Sequence, residues 1–489
     1  MKRLFLAWIC SWLLGSTIWA QAPDVSWINI SGSIKGSYQH KVLGADLSGF
    51  YVYESSGRER AIDKYSYNNN LIYSHKIPLD DRSIEIEELL VRREDVVVFF
   101  SIFNSNLRKH GLFYMVIPHQ GEAGKPVILL DMDQVSNRTR SYFYITPNED
   151  LSGFSAVHEH LHRPDETLLD INFYDALMRP LSSTKLMLPQ ADERYEIKNV
   201  QHDARHHLFV MFYTVSKSLK ANDPEKGSYR LLKIDRFTLQ ADELRLGSSM
   251  YHLNAVQLGY DRQNNRFKMA GFYNEQAKGN ISGVVLASIN PDSMYFDTIG
   301  FSRFDAEFAA KLNSYKNSKK EKSLTDYFLG ELIMRTDGGV VIMGESNYQT
   351  NQTFVQYSQG FPIYREVVYY HYDEVVLVSV NPDGSVDWRQ IIPKTQTSVT
   401  PSPFFSYMPV AVGEHLHIIF NEEGRSKTNV VMYSVSTAGE VVPRSILSAE
   451  ATDAMIIPAD ARIITPTTLL IPANKRKKKG IFRLTFEGI

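Results

Sequence analysis

The chain has 489 residues, of which 43% are hydrophobic, 12% aromatic and 22% charged. This composition excludes a disordered chain, because it contains enough apolar material to bury a sizeable core. The formal net charge is only −2 at pH 7, so no global field draws the protein onto nucleic acid or an anionic membrane. We therefore predict no nucleic-acid partner.

The N-terminus has the layout of a signal peptide. Lys2 and Arg3 precede an apolar run from Leu4 to Leu14, and a cleavage point follows Ala20. The run is shorter than the roughly 20 apolar residues that span a bilayer, and no later segment reaches that length. Residues 1–20 are predicted to be a signal peptide. The exported chain, 21–489, is predicted to be periplasmic, extracellular or associated with the cell envelope, without a transmembrane segment.

The single cysteine of the chain lies within the predicted signal peptide. Cys10 follows Trp8 and Ile9, which do not form a lipoprotein cleavage motif. After cleavage the chain has no cysteine left for a disulfide, so its stability has to come from its own core.

A recurring β-hairpin organises the rest of the chain. Clear copies are VVLASINPDS at 284–293, EVVLVSVNPDG at 374–384 and VVMYSVSTAG at 430–439. Proline fixes φ at the first corner of such a turn, Asn or Asp caps it, and glycine accepts positive φ. Asp235 and Asn290 are 55 residues apart, as are Asn381 and Ser436. This spacing indicates a repeat of about 55 residues.

Eight such turn positions can be found, each preceded by further β-rich runs, so each repeat has about four strands. The other four lie near Asn68, His119, Asp175 and Glu487. Four strands are the content of a propeller blade. We predict an all-β fold, a single β-propeller of about eight four-stranded blades, with seven as the alternative. Trp27 to Ile34 is predicted to supply the last strand and close the ring, which removes exposed sheet edges.

Two insertions interrupt the repeat. Phe304 to Lys322 has helical spacing at Phe304, Phe308 and Leu312, which predicts a short helix. Asn347 to Tyr364 is polar and rich in tyrosine, and is predicted to be a loop.

The segment His158 to His162 matches the H-E-x-x-H zinc-protease pattern. That chemistry requires a helix, whereas Pro164 follows closely and neighbouring repeats have a β-strand at this place. On a strand, His158, His160 and His162 would share one face. We favour no metal site, and these histidines are the candidates if a metal binds.

Two further motifs have simpler explanations. Asn381, Asp383, Ser385 and Asp387 have the spacing of calcium ligands but lack the bidentate glutamate, so a plain turn is favoured. The basic run at 475–479 is predicted to be a solvated hairpin loop rather than a site for an acidic polymer. Trp388 is predicted to pack between blades.

The tyrosines of the second insertion are the candidate binding residues. Tyr348, Tyr357 and Tyr364 lie in it, and Tyr369, Tyr370 and Tyr372 follow. Aromatic side chains on an inserted segment give a large contact area at low entropic cost, which suits recognition of a protein or glycan. The equal alternative is that some of these tyrosines belong to the strand that follows and alternate between its two faces.

The sequence lacks three common glycine-containing motifs of enzymes and nucleotide-binding proteins. There is no G-x-S-x-G, no G-x-x-x-x-G-K and no G-x-G-x-x-G, so serine hydrolase, nucleotide and dinucleotide functions have no support. We predict no cofactor and assign no catalytic residue.

The segment 326–423 resembles an uncharacterised group of secreted propeller-like proteins typical of Bacteroidota. The resemblance depends on GGVVIMGES, the tyrosine-rich insertion, EVVLVSVNPDGSVDWRQIIPKTQ and EHLHIIFNEE. The resemblance implies an envelope or secreted location and a repeat fold. It assigns no catalytic residue.

Together these features predict a non-enzymatic interaction protein that binds an envelope protein or a glycan through the second insertion. The alternative is a hydrolase of glycan or peptide, with acidic residues from several inner strands meeting in the central channel.

Overall fold

The computed structural model describes residues 22–30, 39–56, 58–79, 84–104, 109–120, 122–133, 141–163, 166–189, 193–277, 280–317, 326–358, 361–423, 428–475 and 478–486. These residues form eight antiparallel sheets that follow one another along the chain. The predicted signal peptide lies outside the described residues, so it stays a prediction. Among the residues described, no helix is both long and apolar enough to cross a bilayer.

Each of the first four sheets contains four consecutive strands and is called a blade. Blade 1 contains β2 (Gln39–Asp46), β3 (Gly49–Ser56), β4 (Glu59–Ser66) and β5 (Leu71–Lys76). Blade 2 contains β6 (Ile84–Val91), β7 (Asp95–Asn104), β8 (Lys109–Pro118) and β9 (Val127–Asp133). Blade 3 contains β10 (Tyr142–Pro147), β11 (Gly153–Arg163), β12 (Glu166–Asp175) and β13 (Pro180–Pro189). Blade 4 contains β14 (Glu193–His202), β15 (Leu208–Ser216), β16 (Gly227–Ile234) and β17 (Ala241–Leu246).

The last four sheets include three split strands, two in blade 6 and one in blade 8, and one strand from the other end of the chain. Blade 5 contains β18 (His252–Asp261), β19 (Arg266–Asn274), β20 (Gly283–Asn290) and β21 (Tyr295–Arg303). Blade 6 contains β22 (Asp326–Leu329), β23 (Ile333–Met334), β24 (Val340–Ser358), β25 (Phe361–Val380), β26 (Val386–Ile392) and β27 (Gln396–Ser398). Blade 7 contains β28 (Met408–Val412), β29 (His415–Asn421), β30 (Val430–Ser436) and β31 (Val441–Leu447). Blade 8 contains β32 (Ala454–Ile456), β33 (Arg462–Thr465), β34 (Thr468–Lys475), β35 (Lys478–Thr485) and β1 (Asp24–Asn29).

The helical elements are short: α1 (Ala306–Asn317), α2 (Ala449–Thr452) and 3-10 turns at Pro224–Lys226 and Pro458–Asp460. The predicted helix is confirmed by α1. Phe304, Phe308 and Leu312 pack it into the cluster between blades 5 and 6, at 4%, 6% and 1% exposure.

Eight apolar clusters connect the blades in the described part of the chain, each between two neighbouring blades. The last of them joins Phe50 and Val52 of blade 1 to Leu470 and Ile481 of blade 8. Because the series of interfaces returns to its starting point, the blades form a closed ring. The fold is an eight-bladed β-propeller, which confirms the predicted fold class and the higher blade number.

Strand β1 closes the ring by pairing antiparallel with β35, from Asp24 opposite Thr485 to Asn29 opposite Gly480. Ile28 is fully buried and the Trp27 ring lies 4.8 Å from that of Phe482. Closure by the N-terminal segment is thus correct, but the predicted bounds are not. The strand spans 24–29 rather than 27–34, because pairing with β35 sets its register; residues 31–34 lie outside the described part.

The repeated hairpin of the sequence joins the third and fourth strands of blades 1 to 7, and these turns lie on one face of the ring, here called the turn face. In blade 8 the fourth strand is β1, and the predicted turn near Glu487 lies outside the described residues. The connections between second and third strands lie on the opposite face, because successive strands are antiparallel. Trp388 packs between blades 6 and 7, as predicted, and its Nε1 donates to the Thr437 carbonyl oxygen at 2.9 Å.

Gly439 is required by the packing of Trp388. Its φ is +80°, and a Cβ added there would lie 2.7 Å from Trp388 Cγ. We expect Gly439→Ala to destabilise the protein by about 2–4 kcal/mol, from backbone strain plus steric overlap. The matched control is Gly413→Ala, where φ is +57° and nothing lies within 4 Å; about 1 kcal/mol is expected there. Urea unfolding of both variants tests this, and equal losses would contradict the packing role.

Candidate functional site

The second insertion is a long two-stranded hairpin rather than a loop, which corrects the prediction for 347–364. Strands β24 and β25 continue beyond blade 6 and stay paired up to Ser358 opposite Phe361. We call residues 348–371 the ribbon. The surface of the ring that carries the ribbon is called the ribbon face, and it is opposite the turn face. No other described strand pairs with β24 beyond Asn347 or with β25 between 361 and 369.

The end of the ribbon exposes apolar side chains on both of its faces. By the strand register, Phe354, Phe361 and Ile363 share one face, and Val355 and Tyr364 share the other. Their exposed fractions are 46%, 73%, 51%, 48% and 69% in that order. We call these five residues the ribbon tip. Such a concentration of exposed large apolar groups is typical of surfaces that bind a partner.

The base of the ribbon is ordered by an aromatic stack. The rings of Tyr348 and His371 are 4.5 Å apart and nearly parallel. His371 Nε2 is 2.9 Å from Thr350 Oγ1, and its Nδ1 is 3.1 Å from Thr397 Oγ1. Tyr348 is therefore a half-buried packing residue, held between the blade and the free part of the ribbon.

The sequence-predicted tyrosines are thus not brought together. Tyr348 lies at the base and Tyr364 at the tip, on opposite faces of the ribbon. Tyr357 is opposite Pro362 and shares the register face of Tyr364, but its side chain lies outside the described residues. Tyr369, Tyr370 and Tyr372 continue β25 as strand residues, which was the second possibility in the sequence.

A β-bulge marks the point at which the ribbon leaves the blade. Asp373 and Glu374 oppose the single residue Ser346, and both acids are 1% exposed. Tyr327 OH donates to Glu374 Oε1 at 3.1 Å, and burial, followed by the charge of Glu374, raises the pKa of Tyr327 well above its usual value.

One buried lysine faces the carboxylates at this point. Lys394 Nζ is 2.8 Å from Glu345 Oε1, and the two side chains are 0% and 6% exposed. Burial lowers the pKa of Lys394, while the charges of Glu345, Asp373 and Glu374 oppose that shift. Ser406 Oγ donates to Glu345 Oε2 at 2.9 Å. This network fixes the base of the ribbon to blades 6 and 7.

The histidine segment is a strand, so the zinc-protease geometry is absent. His158 and His160 lie in β11 on the side facing blade 2, with ring centroids 4.9 Å apart, and Phe143 stacks on His158 at 4.4 Å. The side chain of His162 lies outside the described residues. Among the residues described, no three His, Cys, Asp or Glu side chains are grouped to hold a metal ion.

His158 makes the protein sensitive to acid. It is 1% exposed, and burial, with smaller contributions from His160 and His110, lowers its pKa from 6.5 to about 3. Asp170 lies directly opposite on β12. Below pH 6.5 the unfolded chain binds a proton at this position that the folded chain does not bind, so stability is complete above pH 6.5 and falls as the pH falls towards 3.

We expect His158→Phe to reduce the loss of stability between pH 7.5 and 5 by about 1–2 kcal/mol. Phenylalanine fits between Phe143 and His160 without a proton to bind. Further loss comes from His40, His202 and His417, whose pKa values burial lowers to about 4, and from His110, whose pKa burial also lowers. Urea unfolding at both pH values measures the change in stability. A pKa of about 6.5 for His158 in the folded protein, measured by NMR, would show that this histidine does not cause the loss.

The turn considered for calcium is held by its own hydrogen bonds. Asp383 Oδ1 accepts from the backbone N–H and the hydroxyl of Ser385, at 2.9 and 2.6 Å. Asp387 Oδ2 is 2.9 Å from Arg335 Nη1. This agrees with the favoured interpretation as a plain turn.

A second candidate surface is a cavity of about 600 Å³ on the ribbon face, between blades 8, 1 and 2. The residues that line it are Lys41, Leu43, Tyr53, Ser55, Arg60, Ile84, Glu85, Ile86, Glu87, Glu88, Leu89 and Arg462. This cavity was not predicted from the sequence, and of the five residues of the ribbon tip only Tyr364 was among the predicted binding residues. Two runs rich in β-branched and aromatic residues, at 353–357 and 361–364 on either side of Gly360, were the available signal for the ribbon.

No family model matches the chain, and no curated protein matches it. Among solved structures, one from a study of two prolyl endopeptidases superposes with a TM-score of 0.42 at 8% identity, over 90% of this chain and 55% of that one. Prolyl oligopeptidase B from Galerina marginata gives 0.40 at 7% identity, over 89% and 55%. The β-propeller domain of the Trilobed protease from Pyrococcus furiosus gives 0.34 at 10% identity, over 82% and 93%. The chain spans about half the length of the first two, and similarity at this level carries no functional argument.

Proposed function

We propose that this chain is an exported, non-enzymatic interaction protein that binds a partner protein through the ribbon tip. The observation that carries the proposal is the exposure of Phe354, Phe361 and Ile363 on one ribbon face and of Val355 and Tyr364 on the other. A hairpin that is apolar on both faces buries its tip only by entering a cleft. Export is inferred from the sequence features of residues 1–20.

The surroundings of the tip favour a protein as the occupant. Arg365 and Glu366 lie on opposite faces next to the tip, and both are exposed. An apolar centre with a rim of both charges is the usual composition of a protein interface. A glycan offers hydroxyl groups, for which the aliphatic Val355 and Ile363 provide no hydrogen-bonding partner. An anionic membrane would call for a basic cluster, and one Arg with one Glu provides no net charge.

The alternative function, a hydrolase of glycan or peptide, has less support. A glycosidase needs two carboxyl groups on either side of the scissile bond. In the cavity the glutamates lie on one strand, β6, and the wall contributed by blades 8 and 1 has Lys41 and Arg462. That distribution favours binding over acid–base catalysis.

A photo-crosslinking amino acid at position 361, in the native host, tests the proposal. We expect one partner protein to be crosslinked at a defined stoichiometry, and the purified partner to bind the purified protein. The matched control is position 237, because Phe237 is 71% exposed and Phe361 is 73% exposed, but Phe237 lies on the turn face. Crosslinking to lipid or glycan only, or equal crosslinking at both positions, would refute the proposal.

A further inference from the structure

The ribbon has two long edges, and in the described part of the chain neither has a neighbouring strand near the tip. Beyond Asn347 on β24, and between 361 and 369 on β25, these strands pair only with each other. In an antiparallel pair, every second residue of a strand directs its backbone N–H and C=O at the partner strand. The residues between them direct these groups outward.

Pro362 identifies the residues of β24 whose backbone groups point outward. It lies opposite Tyr357 and has no N–H, so these two residues form one of the non-hydrogen-bonded pairs of the ribbon. The register continues without a bulge, so Val355, Thr353 and Asn351 occupy the same kind of position by alternation. Their N–H and C=O groups therefore point away from β25.

Residues 351–357, which we call the β24 edge, lack the features that normally discourage a further strand. Their sequence is NQTFVQY, without a charged residue, proline or glycine. The side chains of 351–356 are exposed. Natural proteins protect open sheet edges with charges, proline or bulges, because the backbone groups at such an edge recruit other strands. The β24 edge is thus open to pairing.

The other edge of the ribbon is protected. Its outward positions on β25 include Pro362 and Glu366. Pro362 has no N–H to donate, and the Glu366 side chain is exposed. A strand added to β25 would lose a hydrogen bond at the proline and would lie beside the charge of the glutamate. The two edges of the ribbon therefore differ, and only the β24 edge suits strand addition.

We propose that the partner protein adds an extended strand to the β24 edge. This inference rests on the proposed function and specifies how the partner binds. The outward backbone groups of Asn351, Thr353 and Val355 bond to the added strand, and such main-chain bonds are the source of affinity in strand addition. The strand lies beside Phe354 on one face and Val355 on the other, so apolar side chains on both of its faces fit there.

A second copy of the chain suits the β24 edge less well than a different protein. Pairing β24 with β24 would form a joint sheet in which Phe361 and Tyr364 of both copies stay exposed, because these residues lie on the outer strands. A cleft in a different protein buries the tip and can supply the strand from one of its walls. Glycans and lipids lack the alternating N–H and C=O groups of an extended backbone.

Two proline variants test which edge is used. Thr353 and Glu366 lie opposite each other with their N–H groups outward, so proline at either position spares the bonds between β24 and β25. We expect Thr353→Pro to weaken binding of the partner crosslinked at position 361 by more than about tenfold. Glu366→Pro is expected to change the affinity by less than about threefold, as for the rim of an interface. Surface plasmon resonance measures both affinities.

The control Thr353→Val retains the backbone N–H and should bind like the unmodified protein. Thermal unfolding checks that each variant is folded. Full affinity of Thr353→Pro, or equal losses in the two proline variants, would contradict strand addition at the β24 edge while the proposed function stands. Absence of any partner crosslinked at position 361 would instead contradict the proposed function, and this inference with it.

Amide hydrogen exchange of the full exported chain, alone and with the partner, tests the contact directly. We expect the amides of Asn351, Thr353 and Val355 to exchange fast in the free protein and at least about tenfold more slowly in the complex. Slow exchange in the free protein would show that the chain itself occupies this edge. A dimer of the free protein that Thr353→Pro abolishes would assign the edge to a second copy. Either result would overturn the proposal.

Discussion

Replacing residues 351–368 with the dipeptide Asn-Gly will lower the affinity for the partner protein by more than about 100-fold and will leave the propeller folded. The register makes this excision symmetrical, because Thr350 and Tyr369 are opposite each other and can be joined by a two-residue turn. The whole ribbon tip is removed, and buried aromatic anchors carry most of the energy of an interface. Surface plasmon resonance with the partner identified by crosslinking measures the loss.

The excision has to spare the base of the ribbon. Removing 347–364 instead would delete Tyr348, which stacks on His371, and would leave part of β25 without its partner strand.

A second variant keeps the backbone intact and replaces Phe354, Phe361 and Ile363 with serine. It should lose affinity to a similar extent, with an unchanged unfolding midpoint. Full affinity in either variant would show that the partner binds elsewhere.

Lys394→Met will destabilise the protein by about 3–5 kcal/mol, the largest stability change we expect from a single substitution. It leaves Glu345, Asp373 and Glu374 buried without the cation that faces them, and an uncompensated buried charge costs much more than the pair contributes. Urea unfolding at pH 7 measures the change in free energy.

The double variant Lys394→Met with Glu345→Met tests the cause. It should be more stable than Lys394→Met alone, because one of the unpaired charges is then removed. The control is Lys76→Met, which breaks an exposed pair with Glu59 at 3.5 Å and should cost less than about 0.5 kcal/mol. If the buried and exposed lysine substitutions cost the same, the network at the ribbon base does not have the role described.

Much of the fold could be predicted because the signals were local. The turns after Asn290, Asn381 and Ser436 are built from residues adjacent in sequence, and their side chains and glycines determine the turn whatever surrounds it. The helical spacing of Phe304, Phe308 and Leu312 was equally local, and the structure buries all three.

The ribbon could not be predicted as a strand pair from composition alone. Residues 347–353 are mostly Asn, Gln and Thr, which is typical of loops as well as exposed strands. They become strand because each of them pairs with a residue of β25. The bounds of β1 were missed for the same reason, since its partner β35 is at the other end of the chain.

The sequence by itself determined the all-β class, the repeat of about 55 residues and the content of about four strands in each repeat, because these depend on alternation and turn chemistry within a few residues. The structure decided between eight blades and seven. Only the tertiary structure decided the candidate sites. Ring closure brings Arg462 next to Lys41, and strand register distributes the apolar residues of the ribbon tip over two faces. Both depend on contacts between residues distant in sequence, for which a single sequence has no local signal.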